Sequence, residues 1–291
     1  MKTNQVYHET NLETMSRMPD GFCDLIITSP PYAEARKSTY GGICADDYVE
    51  WFKPIASEMY RVLSDHGSFI LNIGDNTIDG ETHLYTFEIP IVLKREIGFK
   101  FIDPLIWHKK TAPPGRFKNR FKDSWEFCYH FTKTFDITFN PYEVAEPTTQ
   151  VSIDLSLRHK DTHEMKSLSG SGFTNPNGNL QRRIRNNQSG FGTNDERLSG
   201  LEMALPGNVL WMAGETTNVG HPAPYPERLV EFFIKAFSNE DDLIYDPFGG
   251  SGTTGVVALR AGRKFIMSEL NPEYVKIAER RLYPHLNNLF T

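Results

Sequence analysis

Four consecutive residues, Ser29-Pro30-Pro31-Tyr32, follow an apolar run at 23–28 and have the composition of a catalytic turn. Paired prolines lack N–H groups and have a fixed φ, so they end a strand in a rigid elbow whose polar backbone atoms are carbonyls. One carbonyl and the Ser29 hydroxyl could accept the two hydrogens of an exocyclic base amine, and Tyr32 could stack on a base turned out of its duplex. The alternative is a tight strand-ending turn with a surface serine.

A second candidate site is the glycine-rich stretch that begins at Asp246 and reads DPFGGSGTTG. Gly249, Gly250 and Gly252 allow a tight turn and the close approach of a ligand, although such turns also form for packing reasons alone. Glu269 ends the next strand-like run about 20 residues further on, where a carboxylate accepts hydrogen bonds from ribose hydroxyls.

The composition of this turn indicates which nucleoside it could bind. The chain lacks the GxxxxGK[ST] pattern of ATP sites and the GxGxxG order of dinucleotide sites. Asp246 would repel a pyrophosphate but suits a cationic amino group. These features predict S-adenosylmethionine, which combines adenine, ribose and an amino-acid tail.

Alternating apolar runs and helical patterns position these two sites. Strand-like runs occupy 4–8, 23–28, 67–73, 100–107, 125–131, 208–212, 241–246 and 264–269, and helical patterns occupy 46–63, 84–97, 226–237, 252–261 and 271–282. Nearly continuous apolar runs are typical of strands covered on both faces. The alternation predicts an α/β fold with a doubly wound, mostly parallel sheet. Residues 140–205, rich in Ser, Gly and Asn, interrupt the pattern and predict an inserted recognition region.

Composition limits the class of protein. With 39% hydrophobic and 23% charged residues, the 291-residue chain can bury a core. We find no apolar run of membrane length, and the three cysteines have no CxxC spacing, so no membrane association and no metal site are predicted. A cytoplasmic protein, associated with the nucleoid in a prokaryote, is expected.

Basic residues are clustered although the net charge is −6, and local charge decides where phosphates bind. Six Lys and Arg residues and no acidic residue lie between Trp107 and Lys122. The predicted DNA contacts are Arg36, Lys37, Lys109, Lys110, Arg116, Lys118 and Arg120 for phosphates, and Arg182, Arg183 and Arg185 for guanine edges. For each of them, solvated surface charge is the alternative.

Thr28-Ser-Pro-Pro-Tyr32 followed downstream by Asp246-Pro-Phe-Gly-Gly-Ser-Gly-Thr-Thr254 resembles the amino-methylating DNA methyltransferases. The order of the motifs is that of their β group, in which the catalytic half precedes the cofactor half, and "GHPAPYPERLVEFFI" at 220–234 resembles the family's segment beside the methionine moiety. The resemblance implies a circularly permuted, seven-stranded, Rossmann-like sheet. It divides the chain into a catalytic half at 1–139, a target-recognition region at 140–205 and a cofactor half at 206–291.

By the same resemblance, Ser29, Pro30, Pro31 and Tyr32 hold the target base. The predicted cofactor residues are Thr28, His221, Pro222, Asp246, Phe248, Gly249, Gly250, Gly252 and Glu269. The chain departs from the family at Glu9-Thr10-Asn11, where members carry a Gly-Asp pair near the adenosyl group. Either Glu9 or Asn11 substitutes there, or the contact is absent.

The predicted activity is methyl transfer from S-adenosylmethionine to the N4 amine of cytosine in double-stranded DNA, by base flipping and direct in-line transfer. A serine in first position usually accompanies N4-cytosine in this family and an aspartate N6-adenine, so adenine is the alternative. A catalytically silent DNA-binding module and an enzyme acting on a protein glutamine are remoter. The resemblance to type II modification enzymes leaves open a companion restriction endonuclease and a homodimer.

Overall fold

The computed structural model describes residues 1–34, 42–110, 118–147, 203–214 and 226–287. The chain divides into two compact units, one formed by residues 1–144 together with 207–291 and the other by residues 145–206. The predicted site residues Arg36, Lys37, Arg116, Arg182, Arg183, Arg185, His221 and Pro222 lie outside the described residues.

Twelve strands are described across the two units. In chain order they are β1 (Gln5–Tyr7), β2 (Cys23–Thr28), β3 (Leu63–Ile73), β4 (Thr77–Ile78), β5 (Glu81–Thr82), β6 (Lys100–Lys109), β7 (Trp125–Thr132), β8 (Glu146–Pro147), β9 (Met203–Ala204), β10 (Val209–Met212), β11 (Leu243–Asp246) and β12 (Lys264–Ser268). β4 and β5 form a small hairpin in the larger unit. In the smaller unit, the described residues form the antiparallel pair β8–β9.

The helices of the larger unit connect its strands. They are α1 (Asn11–Ser16), α2 (Tyr48–Val62), α3 (Tyr85–Val92), α4 (Glu227–Phe237), α5 (Thr253–Arg260) and α6 (Pro272–Asn287), with a π-helix at Leu93–Ile97 and a 3₁₀ turn at Pro141–Val144. Five of the six α-helices among the described residues were predicted from periodicity. The six-residue α1 was not, although Thr10 and Glu13 form a capping box at its start.

Eight strands form the central sheet in the order β1-β12-β11-β2-β3-β7-β6-β10. Every strand-like run of the sequence analysis is one of these strands. The seven-stranded sheet implied by the resemblance is wrong by one strand, because β10 pairs in parallel with β6 at the sheet edge. Only β7 runs antiparallel to its neighbours, β3 and β6, so the sheet is mostly parallel as predicted. The circular permutation stays a prediction.

Helices cover both faces of the sheet because successive side chains of a strand point to opposite faces. In β2, Ile26 packs into a core with α1, α2 and α3, whereas Leu25 and Ile27 pack into a second core with α4, α5 and α6. All three side chains are at most 1% exposed. The doubly wound α/β fold is therefore confirmed.

Strand direction determines which loops meet at the site. β1, β2, β3, β11 and β12 are parallel, so their carboxyl ends share one edge of the sheet. Because β7 is antiparallel, it contributes its first residues to the same edge, opposite the last residues of β6. Ligands of open α/β sheets bind at this edge. Within the described ranges no helix is both long and apolar enough to cross a membrane.

Candidate active site

The elbow after β2 and the glycine-rich turn after β11 line one cavity of about 540 Å³. Pro31 contributes from the elbow, Phe248 from the turn and Glu269 from the residue directly after β12. Trp51 of α2, which the sequence analysis did not identify, also lines it and lies 5.8 Å from the Phe248 ring, centroid to centroid. The size is that of a small-molecule site.

Asp246 ends β11 and is completely buried. Its Oδ1 accepts hydrogen bonds from the Thr28 hydroxyl at 2.6 Å and the Phe248 N–H at 3.0 Å, and its Oδ2 accepts from the Thr254 hydroxyl at 2.6 Å. Neither Asp246 nor Thr28 is among the residues that line the cavity. They hold the end of β2, the turn and the start of α5 together, because a buried carboxylate requires such donors.

Glu269 is 4% exposed and lines the cavity. Its Oε2 accepts from the Gly250 N–H at 2.8 Å and its Oε1 from the Asn271 N–H at 2.7 Å. These two bonds fix the side chain at the border of the cavity.

At two of the three predicted glycines, Gly249 and Gly252, neighbouring side chains leave no room for a Cβ. Gly252 has φ +86°, and a Cβ there would lie 2.8 Å from the Cβ of Ala278 in α6. A Cβ on Gly249 would lie 2.8 Å from the Cβ of Met267 in β12. Neither glycine lines the cavity. The close contacts described for them are with Met267 and Ala278 of the protein.

Glu9, Thr10 and Asn11, where the family carries its Gly-Asp pair, line the cavity beside the turn. The Glu9 carboxylate is paired with Arg17 and accepts from the Thr14 hydroxyl at 2.7 Å; the bond to Arg17 lowers the pKa of Glu9. The Asn11 amide instead reaches the carbonyl of Pro247 in the turn at 3.4 Å.

Two hydrogen bonds to backbone carbonyls fix the elbow in place. The Tyr48 hydroxyl of α2 donates to the Pro31 carbonyl at 2.8 Å, and the Asn76 amide donates to the Ala33 carbonyl at 2.8 Å. Pro30 is buried and Ser29 is half-buried at the end of the strand. The elbow is therefore a fixed structure, as its paired prolines predict.

The Tyr32 side chain ends in a polar cluster that the sequence analysis did not identify. Its hydroxyl donates to Glu126 Oε2 at 2.8 Å, and the Asn72 amide donates to the same oxygen at 3.1 Å. The other Glu126 oxygen is paired with the ammonium of Lys109. Burial and the charge of Glu126 raise the pKa of Tyr32 well above its ordinary value, so the phenol stays protonated. The signal for Glu126 was an acid within the apolar run 125–131.

Of the four predicted DNA contacts among the described residues, two are exposed and two are paired with an acidic side chain. Lys110 and Lys118 are exposed at the end of β6 and after it. Lys109 is paired with Glu126 behind the elbow, and Arg120 is paired with Asp123. The phosphate role of all four stays a prediction. The described part of the chain contains no group of three or more His, Cys, Asp or Glu side chains arranged to hold a metal ion.

Known sequences match nearly the whole chain. The sequence model of a family of N6- and N4-methylases, described as DNA methylase, matches residues 23–280. The type II methyltransferase M.PvuII of Proteus hauseri is 30% identical over 290 residues, which cover 93% of this chain and 81% of that protein. The DNA adenine methyltransferase YhdJ of Escherichia coli K12 is 28% identical over 283 residues, covering 95% and 82%.

Solved structures match the fold over a similar extent. The PvuII DNA methyltransferase, described as cytosine-N4-specific, superimposes with a TM-score of 0.69 at 25% identity, covering 99% of this chain and 93% of that one. The complex of M1.HpyAVI with S-adenosylmethionine superimposes with a TM-score of 0.56 at 19% identity, covering 96% and 98%.

Proposed function

The chain belongs to the DNA methylases that modify exocyclic amines, and from that membership we propose that it methylates the N4 amine of cytosine within a specific sequence of double-stranded DNA. Methylation of a base amine in DNA is the activity of the family. The choice of cytosine, the individual site residues and the reading of a specific sequence belong to the proposal.

S-adenosylmethionine is the cofactor, and when bound it supplies an electrophilic methyl group on a sulfonium ion. The residues of the cavity suit it. Trp51 and Phe248 provide aromatic surface for the adenine, and Glu269 provides carboxylate oxygens for ribose hydroxyls. We assign Asp246 to positioning of the turn, because Thr28, Phe248 and Thr254 already occupy its carboxylate.

The observation that carries the proposal is the cavity that the elbow and the glycine-rich turn line together. Pro31 and Phe248 are more than 200 residues apart in the sequence yet border the same space. A direct transfer requires that the methyl donor and the acceptor amine meet in line, and a shared cavity provides that proximity.

In the proposed reaction the elbow acts on the target base. The Ser29 hydroxyl and a backbone carbonyl of the elbow accept the hydrogens of the amine, which orients the nitrogen lone pair toward the methyl group. The Tyr32 ring stacks on the flipped base. The hydrogen bond from its hydroxyl to Glu126 holds the ring in one orientation. The nitrogen gains the methyl group and loses one proton, which passes to water, and no covalent enzyme intermediate forms. Orientation and preorganised polar groups supply the rate.

Two observations support cytosine. The tetrapeptide begins with Ser29, and the 25%-identical PvuII enzyme is described as cytosine-N4-specific. The identity of 28% to an adenine methyltransferase favours N6-adenine as the second candidate. We propose further that residues 140–205 read the DNA sequence and that exposed Lys110 and Lys118 contact phosphates.

Nucleoside mass spectrometry tests the proposal. DNA from a methylation-deficient host that expresses this chain should contain N4-methylcytosine, and Ser29→Ala should abolish it. Ser57→Ala, at an exposed position of α2, is the matched control and should leave methylation unchanged. N6-methyladenine in place of N4-methylcytosine would overturn the choice of base, and DNA with neither product would overturn the activity.

A further inference from the structure

Five polar side chains at the elbow form a connected cluster whose members come from separate parts of the chain. Ser29 and Tyr32 follow β2, Asn72 is in β3, Lys109 ends β6 and Glu126 is the second residue of β7. The Ser29 hydroxyl lies 3.4 Å from the Tyr32 hydroxyl, which donates to Glu126 at 2.8 Å. Glu126 is 9% exposed, so its charge requires these partners.

The chemistry of the members fixes the direction of the hydrogen bonds. An ionised carboxylate only accepts, and an ammonium only donates. The ammonium of Lys109 occupies Glu126 Oε1, so Oε2 accepts from Tyr32. The Asn72 carbonyl oxygen, 3.4 Å from the Tyr32 hydroxyl, is the longer and weaker alternative acceptor.

Once the Tyr32 hydrogen points to Glu126, the Tyr32 oxygen is available as an acceptor. The Ser29 hydroxyl can then donate to it, at the long end of hydrogen-bonding distance. A serine that donates its only hydrogen to Tyr32 presents lone pairs elsewhere, and lone pairs are what an amine N–H needs.

We propose that Glu126 is a positioning residue that sets the direction of the chain Ser29→Tyr32→Glu126, so that Ser29 acts as a hydrogen-bond acceptor toward the amine of the target base. Lys109 contributes by holding the second carboxylate oxygen. This inference rests on the proposed function, because it specifies how the elbow receives its substrate.

Glu126→Gln tests the direction directly. Lys109 can only donate and so should hold the Gln oxygen, which turns the amide NH₂ toward Tyr32 and reverses the chain. The Gln amide would then occupy the Tyr32 oxygen in place of the Ser29 hydrogen, and the Tyr32 hydrogen would point to Ser29 or to the Asn72 carbonyl oxygen, both at 3.4 Å. In either case Ser29 loses the acceptor for its own hydrogen. We expect the single-turnover rate of methylation to fall about 10- to 100-fold, with the Kd for S-adenosylmethionine changed less than about twofold. Glu50→Gln is the control, because Glu50 is an exposed carboxylate paired with Lys53, and it should keep the wild-type rate.

A double-mutant cycle separates direction from a structural role. Tyr32→Phe keeps an aromatic ring but removes the hydroxyl, and its rate should also fall about tenfold or more. In that background Glu126→Gln should have no further effect, because the chain no longer reaches Ser29. Equal losses in both backgrounds would overturn the proposal, as would a wild-type rate for either single variant.

The two single variants keep the test decisive if one of them does not fold, which circular dichroism and thermal unfolding would reveal. Tyr32→Phe alone at the wild-type rate would already overturn the inference. A wild-type protein that methylates neither cytosine nor adenine would overturn the proposed function, and the inference with it. An active wild type with an unaffected Glu126→Gln variant would overturn the inference alone.

Discussion

Replacing Gly252 with alanine should destabilise the protein strongly, for two reasons that the structure separates. The residue caps α5 at φ +86°, a left-handed conformation that costs other residues about 1–2 kcal/mol. The new Cβ would also lie 2.8 Å from the Cβ and 2.9 Å from the Cα of Ala278, and overpacking of this kind costs about 1–3 kcal/mol. The backbone atom of α6 cannot move aside as a flexible side chain would.

The two contributions together give a loss of about 2–5 kcal/mol, a large part of the roughly 5–15 kcal/mol that stabilises a typical domain. Urea denaturation gives the free energy of unfolding of both proteins. Gly214→Ala is the matched control, because a Cβ at Gly214 meets no atom of the described residues within 4 Å, and it should change stability by less than about 0.5 kcal/mol. If Gly252→Ala came within about 1 kcal/mol of that control, the packing argument would be refuted.

Two further predictions concern buried polar groups. Thr28→Val keeps the shape of the side chain but removes the hydroxyl that donates to buried Asp246 at 2.6 Å. The free energy of unfolding, measured by thermal and urea denaturation, should therefore fall by about 1–3 kcal/mol. A fall no greater than that of the control Thr77→Val in β4 would contradict this. Burial lowers the pKa of His130 from its ordinary 6.5 to about 3. Below pH 6.5 the unfolded chain therefore gains a proton that the folded chain does not, and stability falls by about 2 kcal/mol between pH 7 and pH 5. His130→Gln should remove this contribution, which urea denaturation at both pH values measures; an unchanged pH dependence would argue against it.

Burial on both faces made the strands predictable from sequence. A parallel strand covered by helices reads as a continuous apolar run, as the residues from Leu25 to Ile27 do, and each such run became a strand. Helices of two or more turns showed their period in the same way. The helix α1 has only six residues, too few for a period, and its signal was the capping pair Thr10 and Glu13.

The polar cluster at the elbow could not be predicted in the same way. Glu126 reaches Tyr32 only because β7 runs antiparallel to β3 and β6, which brings its first residues to the edge where the parallel strands end. Strand direction depends on connections and pairing, not on local composition. For the same reason the sequence favoured a phosphate role for Lys109, whose ammonium the structure pairs with Glu126.

The hydrogen bond between Thr28 and Asp246 joins residues 218 positions apart in the sequence. Thr28 immediately precedes the elbow, and Asp246 begins the glycine-rich turn, on adjacent strands that lie about 4.8 Å apart. The spacing between the elbow and the glycine-rich turn is thus inherited from the sheet. Segments that connect the two motifs can lengthen, shorten or diverge without altering that spacing. Such an arrangement lets the rest of the chain evolve while the distance between the two motifs stays constant.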